Sequence, residues 1–143
     1  MKLAIASDHA GYLMKEHIKD YLAGKGNEIV DFGCNSEASC DYADFAHPFA
    51  NSIENGEFKM GISLCGSGNG INITVNKHAD IRSALCWDVE LAELARKHND
   101  ANVCALPARF ITNDKAEKIV DAFLSTGFEG GRHQIRIDKI PIK

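Results

Sequence analysis

The chain has no apolar run of about 18 residues, so no segment of it reads as a transmembrane helix. Its opening stretch, Met1-Lys2-Leu3-Ala4-Ile5-Ala6-Ser7-Asp8, meets an acid too soon to serve as a signal peptide, and a cytoplasmic protein is expected. Paired cysteine spacing is also missing. Cys34, Cys40, Cys65, Cys86 and Cys104 form an odd set without a C-x-x-C pair, which fits free thiols in a reducing compartment. No two pairs of Cys or His stand at zinc-ligand spacing, so no metal is expected. Nor is there a basic excess: the formal net charge of −4 weighs against a general nucleic-acid binder. Linkers, repeats and low-complexity stretches are absent. The 143 residues, 45% of them apolar, read as one domain able to form a core without disulfides or metal.

What is present alternates. Apolar runs at 2–7, 27–33, 60–65, 81–86 and 101–106 read as buried strands. Helical patterns lie between them, at 10–23 (stopped by Gly24 and Gly26), at 43–54 with Pro48 in an early turn, and at 71–78. Two more cover 88–99, with Asp88 as N-cap and Leu91, Leu94 and Ala95 on one face, and 112–127, capped by Thr112 or Asn113 and ended by Gly127. Continuous rather than alternating apolar strands, each followed by a helix, predict a doubly wound α/β domain: a five-stranded parallel sheet with helices on both faces. The remainder, about 128–143, alternates Ile135, Ile137 and Ile140 with charges and reads as an arm that meets a partner subunit. The positive charge of the chain is concentrated there, in Arg132, His133, Arg136, Lys139 and Lys143, a setting suited to a small anionic ligand.

Ligands of such folds bind beyond the carboxyl ends of the strands. That rule gathers Asp8, His9, Cys65, Ser67 and Arg109 on one rim. The stretch "LCGSGNG" (64–70) stands out there. It is neither the dinucleotide fingerprint nor a P-loop. Its alternate glycines, Gly66, Gly68 and Gly70, make either a tight turn or a set of bare amides for an anion or oxyanion. Cys65 ends its strand where a helix begins, a place that favours thiolate, and it can act as nucleophile or general base. Cys86 and Cys104 read as core. Asp8-His9 either caps the first helix or acts in catalysis, and His98-Asn99 either closes a helix or does the same. His17, His47 and His78 read as surface or structural. Arg109, Arg132 and Arg136 are either solvated cations or forks for phosphate; the last two share a face if their segment is helical.

The blocks "SDHAG", "DY", "CGSGNGI", "NK", "IRSALC", "ARKHNDANV" and "EGGRHQIR", from Ser7 to Arg136, resemble in sequence and order the type B ribose-5-phosphate isomerases, a family shared with galactose-6-phosphate isomerase subunits. The resemblance implies a Rossmann-like three-layer sandwich without metal or organic cofactor. It also implies a homodimer or dimer of dimers whose active sites draw on both subunits. The implied reaction interconverts ribose 5-phosphate and ribulose 5-phosphate by ring opening and a cis-enediolate. Cys65 is then the base between C2 and C1, since a family branch that uses a loop glutamate instead does not match a loop without acid up to Ile73. Gly66, Ser67, Gly68, Asn69 and Gly70 hold the enediolate, and His98 opens the ring. Asp8, Tyr42 and Asn99 bind sugar hydroxyls; His9, Arg109, Arg132 and Arg136 bind phosphate. A hexose 6-phosphate (allose or galactose 6-phosphate) is the alternative substrate. A flavodoxin-like binding module is the non-catalytic alternative, which neither nucleotide fingerprint supports.

Overall fold

Period-two alternation along each strand sends its side chains to two different helix layers, and this organises the computed structural model, which describes residues 1–142. Lys143, the last of the basic tail, lies outside the described residues. The elements run β1 (Lys2–Ser7), α1 (Tyr12–Gly24), β2 (Glu28–Asp31), α2 (Tyr42–Glu54), β3 (Gly61–Cys65), α3 (Asn69–Val75), β4 (Ser83–Leu85), α4 (Val89–Asn99), β5 (Val103–Pro107), α5 (Asn113–Ser125) and α6 (Arg132–Ile137). The strands form one parallel sheet in the order β2-β1-β3-β5-β4.

Leu3 and Ile5 of β1, Ile62 and Leu64 of β3, and Cys104 and Leu106 of β5 face one way. They pack with Met14, Ile18 and Leu22 of α1, Ala92 and Ala95 of α4, and Ile119, Val120 and Phe123 of α5. Ala4, Ala6, Cys65 and Val103 face the other way, against Ala46, Phe49, Ala50 and Ile53 of α2 and Ile71 and Val75 of α3. These are the three expected layers. On the second face the strand residues are small because the helices come close: a Cβ on Gly61 would stand 2.5 Å from the Phe49 ring. Cys86 and Cys104 are fully buried, as the apolar runs around them predict.

The central strands β1, β3 and β5 are the long buried ones, while the edges are short and half-buried. The predicted strand 81–86 starts late, at Ser83, because the Ile81 N–H donates to the His78 carbonyl at 3.1 Å and the Arg82 N–H to the Asn102 side chain at 2.9 Å instead of to a strand. Pro48 stands inside α2 and not in its first turn; it is tolerated on the exposed side. In α4 the buried stripe is Ala92, Ala95 and Arg96, one step round from the predicted Leu91–Leu94–Ala95 face, so both leucines stay half-buried. Asp88 and Thr112 cap α4 and α5, accepting from the N–H of Val89 at 2.8 Å and of Lys115 at 3.1 Å. In the tail, α6 folds back on α4, with His133 and Ile137 buried and Ile135 and Arg136 turned outward. No helix among the described residues is long and apolar enough to cross a membrane.

One buried ion pair fastens the layers. Lys15 of α1 is fully buried, with Nζ 2.5 Å from Asp31 Oδ2 on edge strand β2. Burial alone would raise the Asp31 carboxyl, but hydrogen bonds from Lys15, Lys19 and the Gly33 N–H hold it below its ordinary value.

Candidate functional site

The carboxyl end of the sheet collects five chain segments. The Asp8 N–H donates to Leu64 O at 3.2 Å, which ties the end of β1 to that of β3. Ala108 N–H donates to Cys65 O at 3.0 Å and Arg109 N–H to Gly66 O at 2.9 Å, which ties the residues after β5 to the glycine loop. Asp8, buried, accepts from the Gly11 N–H at 3.0 Å, the capping use foreseen from sequence. Asp8, His9, Cys65, Ser67 and Arg109 therefore share the rim that strand order predicted.

The loop itself explains its glycines. Gly68 has φ +78°, the left-handed region, and is the N-cap of α3; a Cβ there would strike Leu85 and the Leu106 carbonyl. Gly70 lies under the Tyr42 ring, where a Cβ would be 2.6 Å from Cζ. This close approach brings Tyr42, from the start of α2, onto the loop although the two stand 28 positions apart in the chain. Gly66 faces Arg109, whose Cδ and Nη1 would be 3.3 Å from an added Cβ. Cys65 is buried on the α2–α3 side, while Ser67 and Asn69 are exposed above it, and the Asn69 N–H donates to Ser67 Oγ at 3.2 Å. A recess of about 400 Å³ beside Ser67 and Asn69 is walled by Leu85, Trp87, Pro107 and Phe110.

His9 is oriented by a partner that sequence reasoning missed. The Cys40 N–H donates to His9 Nδ1 at 3.2 Å, so a neutral ring carries its proton on Nε2, ready to donate to an anion. Burial and the neighbouring Cys34 push the Cys40 thiol up, which suits a structural role. The signal available was the rim itself, since the loop after β2 also ends there.

His98, Asn99, Arg132 and Arg136 are not on this rim. α4 starts just beyond the carboxyl end of β4 and runs back, so its last residues reach the amino ends of the strands. Its 11 residues span about 16 Å. Asp100, with φ 45°, closes the helix; Arg96 Nη1 donates to its Oδ1 at 2.9 Å, and Arg82 Nη2 donates to its carbonyl at 3.0 Å. Arg82 Nε also donates to the Asn99 carbonyl at 2.8 Å. These bonds fix the helix end that carries His98. The Glu129 N–H donates to the Lys97 carbonyl at 3.1 Å and leads α6 across the same end. His98, Asn99, His133 and Arg136 then line a second recess of about 320 Å³.

Two groups there escaped the sequence reasoning, Glu129 and the partnership of His133 with His98. The rings of His98 and His133 stack 4.2 Å apart at 13°, and Glu129 Oε1 lies 3.4 Å from His133 Nε2 and 3.8 Å from His98 Nε2. Burial first, then the charges of His98 and Arg132, push the His133 imidazole down. The three donor atoms lie within 4.8 Å of one another, but the ring geometry is wrong for an ion. Nearly parallel imidazoles aim their lone pairs along parallel lines. A zinc about 2.0–2.1 Å from one nitrogen would stand far out of the other ring's plane.

The family model described as Ribose/Galactose Isomerase matches residues 3–140. Ribose-5-phosphate isomerase B of Escherichia coli (strain K12) is 41% identical over 139 residues, 97% of this chain and 93% of that protein. The structure of a ribose 5-phosphate isomerase from Thermotoga maritima superposes with a TM-score of 0.96 at 51% identity, covering 98% of this chain and 97% of that one. That of ribose-5-phosphate isomerase B from Mycoplasma genitalium with bound ribulose-5-phosphate gives 0.92 at 44% identity, covering 97% and 93%. With the family model spanning nearly the whole chain and such relatives matching end to end, the chain belongs to the Ribose/Galactose Isomerase family.

Proposed function

We propose that this chain is an aldose–ketose isomerase that interconverts ribose 5-phosphate and ribulose 5-phosphate. The observation that carries the chemistry is Cys65 at the end of β3, where the glycine loop begins, on one rim with Asp8 and Arg109. Near-full-length relatives named ribose-5-phosphate isomerase B, one of them holding ribulose 5-phosphate, support the substrate.

The steps follow from the groups. The sugar arrives as a ring, and His98 takes the O1 proton and returns a proton to the ring oxygen as the C1–O4 bond breaks. Cys65 as thiolate then removes the proton on C2 of the open aldose, giving a cis-enediolate. The amides from Gly66 to Gly70, with Asn69 and the Ser67 hydroxyl, hold its negative oxygens. The Cys65 thiol returns the proton to C1 and the hydroxyl proton of O2 passes to O1, so that C2 becomes a carbonyl and C1 an alcohol. Asp8, Tyr42 and Asn99 hold sugar hydroxyls. His9, Arg109, Arg132 and Arg136 hold phosphate, the guanidinium forks pairing with its oxygens. No cofactor enters.

Within one chain, α4 separates Cys65 from His98. A substrate of five carbons cannot reach both ends of that helix, so the reading includes a homodimer. Each site takes the sheet rim of one subunit and the α4–α6 end of the other, and the tail from about 128 onward meets the partner, in a homodimer or a dimer of dimers. Five free cysteines suit a reducing compartment, the cytoplasm.

An isomerase assay on the purified chain, with ribose 5-phosphate, allose 6-phosphate and galactose 6-phosphate compared, tests the function. Turnover fastest on ribose 5-phosphate and lost in Cys65→Ala is expected. Activity confined to a hexose phosphate would move the substrate, and none at all would remove the enzyme reading.

A further inference from the structure

Three side chains meet at the end of α4, and only His98 has a part in the reaction above. Its Nε2 edge faces the Glu129 carboxylate and one ring face is covered by His133, itself nearly buried. Glu129 is anchored through its backbone to Lys97, the residue before His98. His133 is anchored by its N–H, which donates to the Gly130 carbonyl at 3.2 Å at the start of α6. Neither contact is incidental to a mobile tail: both the edge and the face of one imidazole are met by groups that the main chain holds.

We propose that Glu129 and His133 are positioning residues for His98, the carboxylate orienting its Nε2 edge and the stacked ring fixing its plane for opening of the sugar ring. The proposal rests on the isomerase reading. An imidazole that takes the O1 proton before giving one to O4 is briefly an imidazolium. A carboxylate 3.8 Å from Nε2 stabilises that charge through space and favours the tautomer with its proton on Nε2, which leaves Nδ1 for the sugar. His133 restrains the ring by stacking. It lies among His98, Arg132, Arg136 and Glu129, where burial and the cations push its imidazole down, against a second positive charge beside His98. Metal binding by the same trio is excluded by the parallel rings.

The two directions of the reaction separate this role from a general one. Ribose 5-phosphate must be opened. Ribulose 5-phosphate is already open, because its only hydroxyl able to close a five-membered ring onto C2 carries the phosphate. Deuterium uptake at C1 of ribulose 5-phosphate in heavy water therefore reports Cys65 chemistry without ring opening. We expect Glu129→Gln and His133→Ala to lower kcat/KM on ribose 5-phosphate about tenfold or more while C1 exchange stays within about twofold. His133→Phe, which keeps a stacked ring, recovers most of the His133→Ala loss. His98→Gln shows the same split and serves as reference.

Glu129 is exposed, so its Gln variant is not at risk of unfolding. If Glu129→Gln turns over ribose 5-phosphate like the wild type, or loses both reactions alike, the positioning role is overturned. If the wild type has no activity on ribose 5-phosphate, or His98→Gln leaves ring opening intact, it is the isomerase reading or its His98 assignment that fails.

Discussion

The carboxyl rim of the sheet and the α4–α6 end are built by different means. The rim is made of strand ends, so the parallel sheet places its groups: three strands deliver Asp8, Cys65 and Arg109 side by side, cross-tied by backbone hydrogen bonds. The α4–α6 end has no sheet beneath its functional groups. It is held by side chains, Arg96 and Arg82 on the helix terminus and Glu129 and His133 on His98. The comparison predicts that the role proposed for Cys65 tolerates change at its neighbours' side chains, whereas the His98 region should depend on them.

The largest effect expected belongs to the rim. Cys65→Ala should reduce kcat by about a thousandfold, the scale of a lost general base, with substrate binding nearly unchanged. A near-normal kcat would strip Cys65 of its role. A mixing experiment sharpens the comparison next. Inactive Cys65→Ala and inactive His98→Gln proteins, dissociated and reassociated together, should regain up to about a quarter of wild-type activity. Half of the random dimers are mixed, and half of their sites are intact if each site spans both subunits. No recovery despite hybrid formation would place each whole site within one chain.

At the other end, Arg136→Ala should mainly raise KM for ribose 5-phosphate, by about 30-fold or more, matching about 2–3 kcal/mol of lost charge-assisted bonding. An unchanged KM would remove Arg136 from the phosphate site. The smallest effect should come from a place that serves neither region. Asp31 has its carboxyl held below the ordinary 3.8, so its stabilising share is present above that value and is lost as pH falls through the folded-state value. Thermal unfolding should show Tm falling on acidification below about pH 4, and Asp31→Asn should flatten that part of the curve. A curve of unchanged slope would show that the Lys15–Asp31 pair does not govern acid stability.

Much of the rim was legible in the sequence because it needs only strand ends in a parallel sheet. Any residue that follows a buried apolar run in an α/β pattern falls there, and Asp8, Cys65 and Arg109 do. Tyr42 was placed by resemblance alone; its seat on Gly70 is a contact between α2 and the loop that no local pattern encodes. The tail's conformation was not legible, because alternating isoleucines over a short span fit an extended chain as well as a two-turn helix. Only the groove beside α4 decided for the helix.

By itself the sequence determined the layer order, the parallel sheet, the cap Asp88 and a cap at Thr112 or Asn113, and the chemical types present, since period, capping and breaking are local properties of consecutive residues. Beyond the strand-end rim, tertiary structure decided which of those groups meet. It put His98 a helix length away from Cys65, slid the α4 stripe to Ala92 and Arg96, and set Glu129 and His133 against His98. Such contacts depend on how helices pack across the chain, and that packing is fixed by the combined shape of surfaces whose residues lie far apart in sequence.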